Sequence, residues 1–463
     1  MHSPPADHDA PAFRVASPLF PEPSLNMNAS RSANSSEGIS LPLPVQSGAG
    51  RLGAASHPLA TFDAHSPLES VRALYIHVPF CSHKCHYCDF YSFVDTQDRQ
   101  QAFVLRLVRE LKALSLFSDR APIDSIFVGG GTPSLLRVDL WRALLATLHE
   151  RFDLSLLADG RAEFTVECNP ESVTPELLSV LRSGGVNRLS MGAQSFHSRH
   201  LQTLERLHRP AAVRTALDMA RDAGIHRRSI DLIFGIPGQT LDDWKADLDA
   251  ALALETEHLS CYNLTYEPNT AMFARLKRRE FEPADEDLEV EMYDLTLDHL
   301  AAAGLRRYEV SNYARPGAEC RHNLNYWRQG QWLSAGPSAS GHVAGWRFKN
   351  VPRLDDYLEQ SSNAADPRLR DLSTVVDPEP PDPRRLLRES LWTGLRLTDG
   401  LDAAALLAAF PDAAARQRCQ SLSATLEAEG LLQREPAAWR LTRAGMLQAD
   451  AVAVRFMDAV DGE

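Results

Sequence analysis

The stretch Ala73-Leu74-Tyr75-Ile76-His77-Val78-Pro79-Phe80-Cys81-Ser82-His83-Lys84-Cys85-His86-Tyr87-Cys88 decides how the rest of the chain is read. Its first half is a short β-branched and aromatic run closed by a proline, which predicts a strand over 73–78. Its second half packs three cysteines into eight residues, separated by three and then two positions. Thiolates are soft ligands for zinc, Cu(I) or iron–sulfur clusters. Three in one tight loop can hold three corners of a cubane and leave the fourth iron open. A closed zinc site needs a fourth protein ligand, usually from a second ligand pair. No second pair is visible, because Cys168, Cys261, Cys320 and Cys419 are scattered singly and His83 and His86 crowd the loop itself. A cluster is the expectation; zinc and purely structural thiols are the alternatives.

Working outward, strands and helices alternate. Strands are predicted over 123–128, 163–167, 188–191, 229–234 and 259–265, and helices over 99–116, 139–152, 175–182, 211–223, 241–254 and 284–303. The first helix carries Phe103, Leu107, Leu111 and Leu114 on one face. This alternation implies right-handed crossovers and a parallel sheet. The fold class is therefore α/β: a partial (β/α)6 TIM-like barrel over 71–360 including an extension. In such barrels chemistry gathers at the C-terminal strand ends, where the cysteine loop falls.

The flanks differ in composition. Residues 1–70 hold ten of the 29 prolines and twelve serines, with no lysine, and read as a disordered tail. Residues 361–385 are polar and proline-rich and read as a linker. Residues 386–463 read as a smaller, mostly helical, winged-helix-like domain with a hairpin over 431–441 and no evident basic recognition face.

The chain has 463 residues and a net charge of −13, which argues against a general nucleic-acid binder. Seven cysteines, three of them clustered, suit a reducing cytosol and not a disulfide framework. No apolar run reaches the about 18 residues of a membrane span, and no signal peptide is evident. The expected location is cytoplasmic, with peripheral membrane contact and a homodimer left open.

The strand ends carry ligand-handling groups. Gly129-Gly130-Gly131-Thr132-Pro133 follows the second strand and permits close backbone approach. Glu167 ends the third strand, Gln194 follows the fourth, Arg206 offers a guanidinium fork on the next helix, and Asp231 sits within the fifth between Ile230 and Leu232. A charge inside a strand is costly unless a partner or ligand satisfies it. Each alone is compatible with a structural role; their succession around one cysteine loop favours a site.

Four segments, 75–81, 128–134, 188–196 and 231–240, with the Cys81-x3-Cys85-x2-Cys88 spacing, resemble the radical S-adenosylmethionine superfamily, in its coproporphyrinogen-dehydrogenase-like branch. The resemblance implies a [4Fe–4S] cluster on Cys81, Cys85 and Cys88, whose open iron is chelated by S-adenosylmethionine. It implies that Tyr75 and Tyr87 line the cofactor sites, and that Gly130, Gly131 and Thr132 contact the methionine end through backbone and hydroxyl. Glu167, Gln194, Arg206 and Asp231 would fix the cofactor's polar groups, with Thr265 a further candidate. Cluster reduction would then cleave the sulfonium to an adenosyl radical, chemistry that belongs to the cofactor.

Two features divide the branch. Its porphyrin-oxidising members carry a further cysteine two positions after the third, where this chain has Asp89-Phe90. Conversely, His322-Asn323-Leu324-Asn325-Tyr326-Trp327 is similar to a His-Asn-x-x-Tyr-Trp segment of the branch's heme chaperones. That implies heme as ligand, with His322 a candidate axial ligand and Tyr326 and Trp327 packing on the porphyrin. His322 capping a turn, with the aromatics packed on the barrel, is the structural alternative. His342 is a second candidate ligand. The resulting expectation is a heme chaperone delivering heme to acceptor heme proteins, respiratory enzymes among them. The alternatives are oxygen-independent coproporphyrinogen III oxidation, and a purely structural cluster that binds no S-adenosylmethionine.

Overall fold

The computed structural model describes residues 55–62, 71–118, 121–360, 362–435 and 438–462. The six expected strands form β1 (Ala73–Val78), β2 (Ser125–Gly130), β3 (Glu163–Cys168), β4 (Arg188–Gln194), β5 (Arg227–Phe234) and β6 (His258–Asn263). They lie side by side in chain order, each parallel to the next. The extension adds three more: β7 (Arg306–Arg307), β8 (Asn312–Ala314) and β9 (Leu333–Ala335). β9 pairs in parallel with β1 at one end, and β8 then β7 add antiparallel at the other. The sheet order β9-β1-β2-β3-β4-β5-β6-β8-β7 leaves the two outer strands unpaired to each other, so the barrel is open.

Parallel strands covered by helices are buried on both faces, and side chains alternate between those faces. Leu74, Ile76 and Val78 of β1 are fully buried with Ile126, Val128, Phe164, Val166, Leu189, Met191, Ile230 and Leu232 of the next strands. The intervening positions (Tyr75, Phe127, Glu167, Ser190, Asp231, Ser260) line the interior cavity. The helix Gln100–Leu114 buries Phe103, Leu107, Leu111 and Leu114, as its spacing predicts. Between β5 and β6, the helix Leu241–Leu252 starts with a Thr240/Asp243 capping box. Its Trp244 indole donates to Thr296 Oγ1 at 2.8 Å, tying it to the helix Glu286–Ala302.

Two composition-based boundaries are corrected. Within the stretch read as a tail, Ala55–Phe62 packs on the body: Leu59 is fully buried, the His57 ring sits 4.4 Å from that of Phe348, and Ala55 exchanges two backbone hydrogen bonds with Val375. Residues 1–54 and 63–70, where the rest of that reading falls, lie outside the described residues. The stretch read as a linker is also built in. Strand Val375–Glu379 pairs with Trp346–Asn350, and Leu369, Leu372 and Val375 are buried. Pro378 is accommodated because this is an outer strand, where a missing N–H costs little. Composition registered the prolines and missed the apolar residues between them.

The C-terminal part comprises helices Pro383–Gly394, Ala403–Ala409 and Ala413–Ala428, a hairpin of Leu432–Arg434 with Trp439–Leu441, and helices Arg443–Leu447 and Ala449–Asp461. Buried Arg396 bonds Asp450 and stacks on Trp392. Arg443 reaches Asp298 of the barrel at 3.0 Å. No described helix is long and apolar enough to cross a membrane.

Candidate active site

A cavity of about 310 Å³ opens at the C-terminal strand ends and runs down the barrel interior. That is near the lower end of the ~300–1,000 Å³ usual for small-ligand sites. Cys81, Cys85 and Cys88 line it, with Tyr75 and Tyr87. So do Gly130, Gly131, Thr132, Glu167, Gln194, Arg206, Asp231 and Thr265. Every expected cofactor residue, drawn from segments far apart in the chain, therefore meets in one space.

The cysteine loop follows the short strand Phe80–Cys81, which pairs with Phe93–Val94. Cys88 N–H closes a turn onto Cys85 C=O at 3.2 Å. Each sulfur has its own donor: Thr132 Oγ1 lies 3.6 Å from Cys81, Arg206 Nη1 3.6 Å from Cys85, and Lys84 Nζ 3.7 Å from Cys88. Lys84 also donates to Ser92 Oγ at 2.9 Å, which folds the loop back on itself. Burial pushes the Cys88 thiol up, and Lys84 opposes that shift. Among the described residues no group of three or more His, Cys, Asp or Glu side chains gathers tightly enough for a single metal ion. Three thiols, each beside a donor and spaced around a loop, are a fitting donor set for a polynuclear cluster.

The glycine turn differs in detail from expectation. Gly130 N–H donates to Glu167 Oε2 at 3.0 Å, Gly131 N–H to Val78 C=O and Thr132 N–H to Phe80 C=O, both at 2.7 Å. These N–H groups are used inside the fold, so the turn offers a ligand close approach and the Thr132 hydroxyl rather than a backbone-amide nest. Gly130 has φ +105°, and a Cβ there would lie within 3.0 Å of the His77 ring. That ring is held by Tyr75 OH (3.0 Å) and Tyr91 C=O (2.8 Å), and burial lowers its pKa to about 4.

Gln194 adopts φ +67° at a bulge where β4 shifts register against β5. The bulge turns the strand end toward Arg206, whose Nη2 donates to Gly192 C=O at 2.5 Å. Arg206 lies just past the helix Ser198–Thr203, not on it; its two Nη atoms tie the bulge to the cysteine loop, and it lines the cavity with its Nε buried and without a hydrogen-bond partner among the described residues. The following loop is pinned by Asp247, which accepts from Ser195 Oγ (2.8 Å) and Phe196 N–H (2.6 Å).

Glu167 and Asp231 form a half-buried acidic pair. Burial, then the neighbouring Asp231 charge, pushes Glu167 up to about 7. Burial likewise raises Asp231, against hydrogen bonds from Ser260 and Ser190. Arg188 supplies cationic balance: burial opposes its charge, and acidic neighbours including Glu163 more than restore it. Arg188, Ser190, His258, Ser260 and Tyr262 line the cavity and were not singled out from sequence. Counting alternate positions along the strands that hold Asp231 and its neighbours reaches them all.

The expected heme ligands are placed otherwise. His322 is fully buried, and both ring nitrogens are engaged, Nδ1 with Ser125 Oγ (2.9 Å) and Nε2 with Tyr326 OH (2.7 Å). It offers no nitrogen to an iron. Of its two aromatic companions, Tyr326 lines the cavity and Trp327 packs into the core. His342 is also buried, with Nδ1 3.0 Å from Gly330 C=O, and burial lowers its pKa to about 4.

The open parallel barrel and the loop at its mouth define the class: a radical S-adenosylmethionine protein. The family model of the radical SAM superfamily matches residues 75–251, and that of the HemN C-terminal domain matches 382–447. The chain is 37% identical over 385 residues to the heme chaperone HemW of Mycobacterium tuberculosis (strain CDC 1551 / Oshkosh), covering 82% of this chain and 93% of that protein. It is 33% identical over 331 residues to the heme chaperone HemW of Bacillus subtilis (strain 168), covering 72% and 85%. Among solved structures it resembles coproporphyrinogen III oxidase (HemN) from Escherichia coli, with TM-score 0.70 at 22% identity over 84% of this chain and 90% of that one, a likeness of fold. The chain belongs to the radical SAM superfamily, in the HemN-like branch with the HemW proteins.

Proposed function

We propose that this protein is a heme chaperone that carries a [4Fe–4S] cluster and S-adenosylmethionine, binds heme and hands it to acceptor heme proteins. The observation that carries the reading is its likeness to heme chaperones over 93% of the length of one of them. Asp89-Phe90, standing where porphyrin oxidation calls for a further cysteine, supports the same choice.

Cys81, Cys85 and Cys88 would hold the cluster, and Thr132, Arg206 and Lys84 would donate to their sulfurs. Such donors delocalise thiolate charge and help set a cluster's potential. When bound, the cluster supplies an open iron for chelation and an electron for sulfonium cleavage. Glu167, at the end of β3, and Asp231, within β5, both line the cavity and present negative charge for the ammonium and sulfonium of S-adenosylmethionine. Tyr75, Tyr87, Gly130, Gly131, Thr132, Gln194 and Thr265 complete the wall.

The test supplies reduced, cluster-loaded protein with S-adenosylmethionine and coproporphyrinogen III. The expected result is no protoporphyrinogen; its steady formation would replace the chaperone reading with an oxidase.

A further inference from the structure

The helix Arg321–Trp327 sits beneath the barrel. Glu163, at the N-terminal start of β3, accepts from Arg321 N–H (3.1 Å), His322 N–H (3.4 Å) and the Cys320 thiol (3.2 Å). Ser125, at the start of β2, bonds the His322 ring. The helix thus closes the end of the barrel opposite the cysteine loop, and Asn323 and Tyr326 form part of the cavity lining there.

His322 stands behind that floor. Its ring is stacked on Phe127 with centroids 5.4 Å apart and meets the Tyr326 ring edge-on at 4.7 Å. A neutral imidazole donates at one nitrogen and accepts at the other. The Ser125 hydroxyl, the ring and the Tyr326 hydroxyl therefore form one hydrogen-bonded line from the strand start into the cavity. Burial keeps the ring neutral, lowering its pKa to about 4. Tyr326 shares a packed cluster with Tyr75 and lies close enough to Glu167 to feel its carboxylate, both cofactor-lining residues.

We propose that His322 is a positioning residue of the S-adenosylmethionine cavity: through its ring it holds the Tyr326 hydroxyl against the deep end of the bound cofactor, and it ligates no heme iron. This rests on the reading that S-adenosylmethionine occupies the cavity. The His-Asn-x-x-Tyr-Trp segment then serves the cofactor, and the heme site lies elsewhere on the chain.

The test uses the cluster-loaded full chain, with S-adenosylmethionine affinity from calorimetry and heme affinity from Soret titration. Tyr326→Phe keeps the ring and removes the hydroxyl; His322→Gln breaks the line behind it. Each is expected to raise the S-adenosylmethionine Kd by about three- to tenfold, the effect of one neutral hydrogen bond. Cluster content and the heme Soret band should stay as in the parent. Trp327→Phe disturbs the same helix away from the cavity, so a role confined to helix stability predicts equal Kd changes in all three variants, whereas positioning predicts none for Trp327→Phe. An unchanged Kd in Tyr326→Phe, an equal change in Trp327→Phe, or loss of the Soret band in His322→Gln would overturn the proposal. If His322→Gln does not fold, Tyr326→Phe and Trp327→Phe decide it. Failure of the parent protein to bind S-adenosylmethionine removes the underlying reading, and the proposal with it.

Discussion

Gly130→Ala should be far more damaging than a glycine replacement at an open turn. Two costs add at this position. Its φ of +105° is one that L side chains rarely adopt, and a left-handed backbone costs a non-glycine residue about 1–2 kcal/mol. The new methyl would also meet the His77 ring within 3.0 Å. That ring cannot swing aside without breaking its hydrogen bonds to Tyr75 OH and Tyr91 C=O, each worth about 1 kcal/mol. The sum is about 3–4 kcal/mol. Gly160 is the matched control, with φ +69° and no atom within 4 Å of where a methyl would sit, so Gly160→Ala should cost only the backbone part, about 1–2 kcal/mol. Loss of unfolded-chain entropy on replacing glycine acts alike on both and drops out of the comparison. Urea unfolding followed by tryptophan fluorescence gives the two midpoints. The reasoning about the His77 post is refuted if Gly130→Ala unfolds at the same urea concentration as Gly160→Ala.

Other perturbations address the same cavity. Glu167 has its pKa raised from 4.5 to about 7 in the folded chain, so its burial cost is absent below the unfolded pKa, grows as pH rises, and is complete above the folded pKa, at about 3 kcal/mol. Glu167→Gln should therefore stabilise the cofactor-free protein at pH 8 and leave it unchanged near pH 4.5, read from urea midpoints at the two pH values. Arg206→Lys loses the fork between Gly192 C=O and Cys85 Sγ. It should cost about 2–3 kcal/mol and speed cluster loss, seen as faster decay of the visible absorbance in air. Triple replacement of Cys81, Cys85 and Cys88 by Ser should abolish that absorbance together with bound iron and sulfide, measured by chemical analysis.

Much of this site was legible before the fold. Strand–helix alternation placed six strands in order with the cysteine loop at the end of the first, so Glu167, Gln194 and Asp231 could be gathered around one mouth, whereas Tyr75, Tyr87 and Thr265 came only from the family resemblance. Arg188, His258 and Tyr262 escaped because only strand ends were considered. A parallel barrel lines its interior with every second residue, well below the rim. The tie that Arg206 makes between the cysteine loop and the strand was not legible, because sequence does not reveal that the bulge at Gln194 turns Gly192 C=O toward it. His322 looked like an iron ligand because its spacing to Tyr326 and Trp327 says nothing about burial. Three-dimensional neighbours far away in sequence, Ser125 and Glu163, consume the polar atoms of its segment. Residues 55–62 and 362–379 were misread because short apolar contacts between prolines carry no periodicity.

The most direct measurement is a heme titration of the purified, cluster-loaded full chain, followed at the Soret band. A heme chaperone must give a saturable, stoichiometric change, and the bound heme must then leave when an apo heme enzyme is added. A Soret band that grows linearly without saturation, as free heme does, would contradict the proposed function.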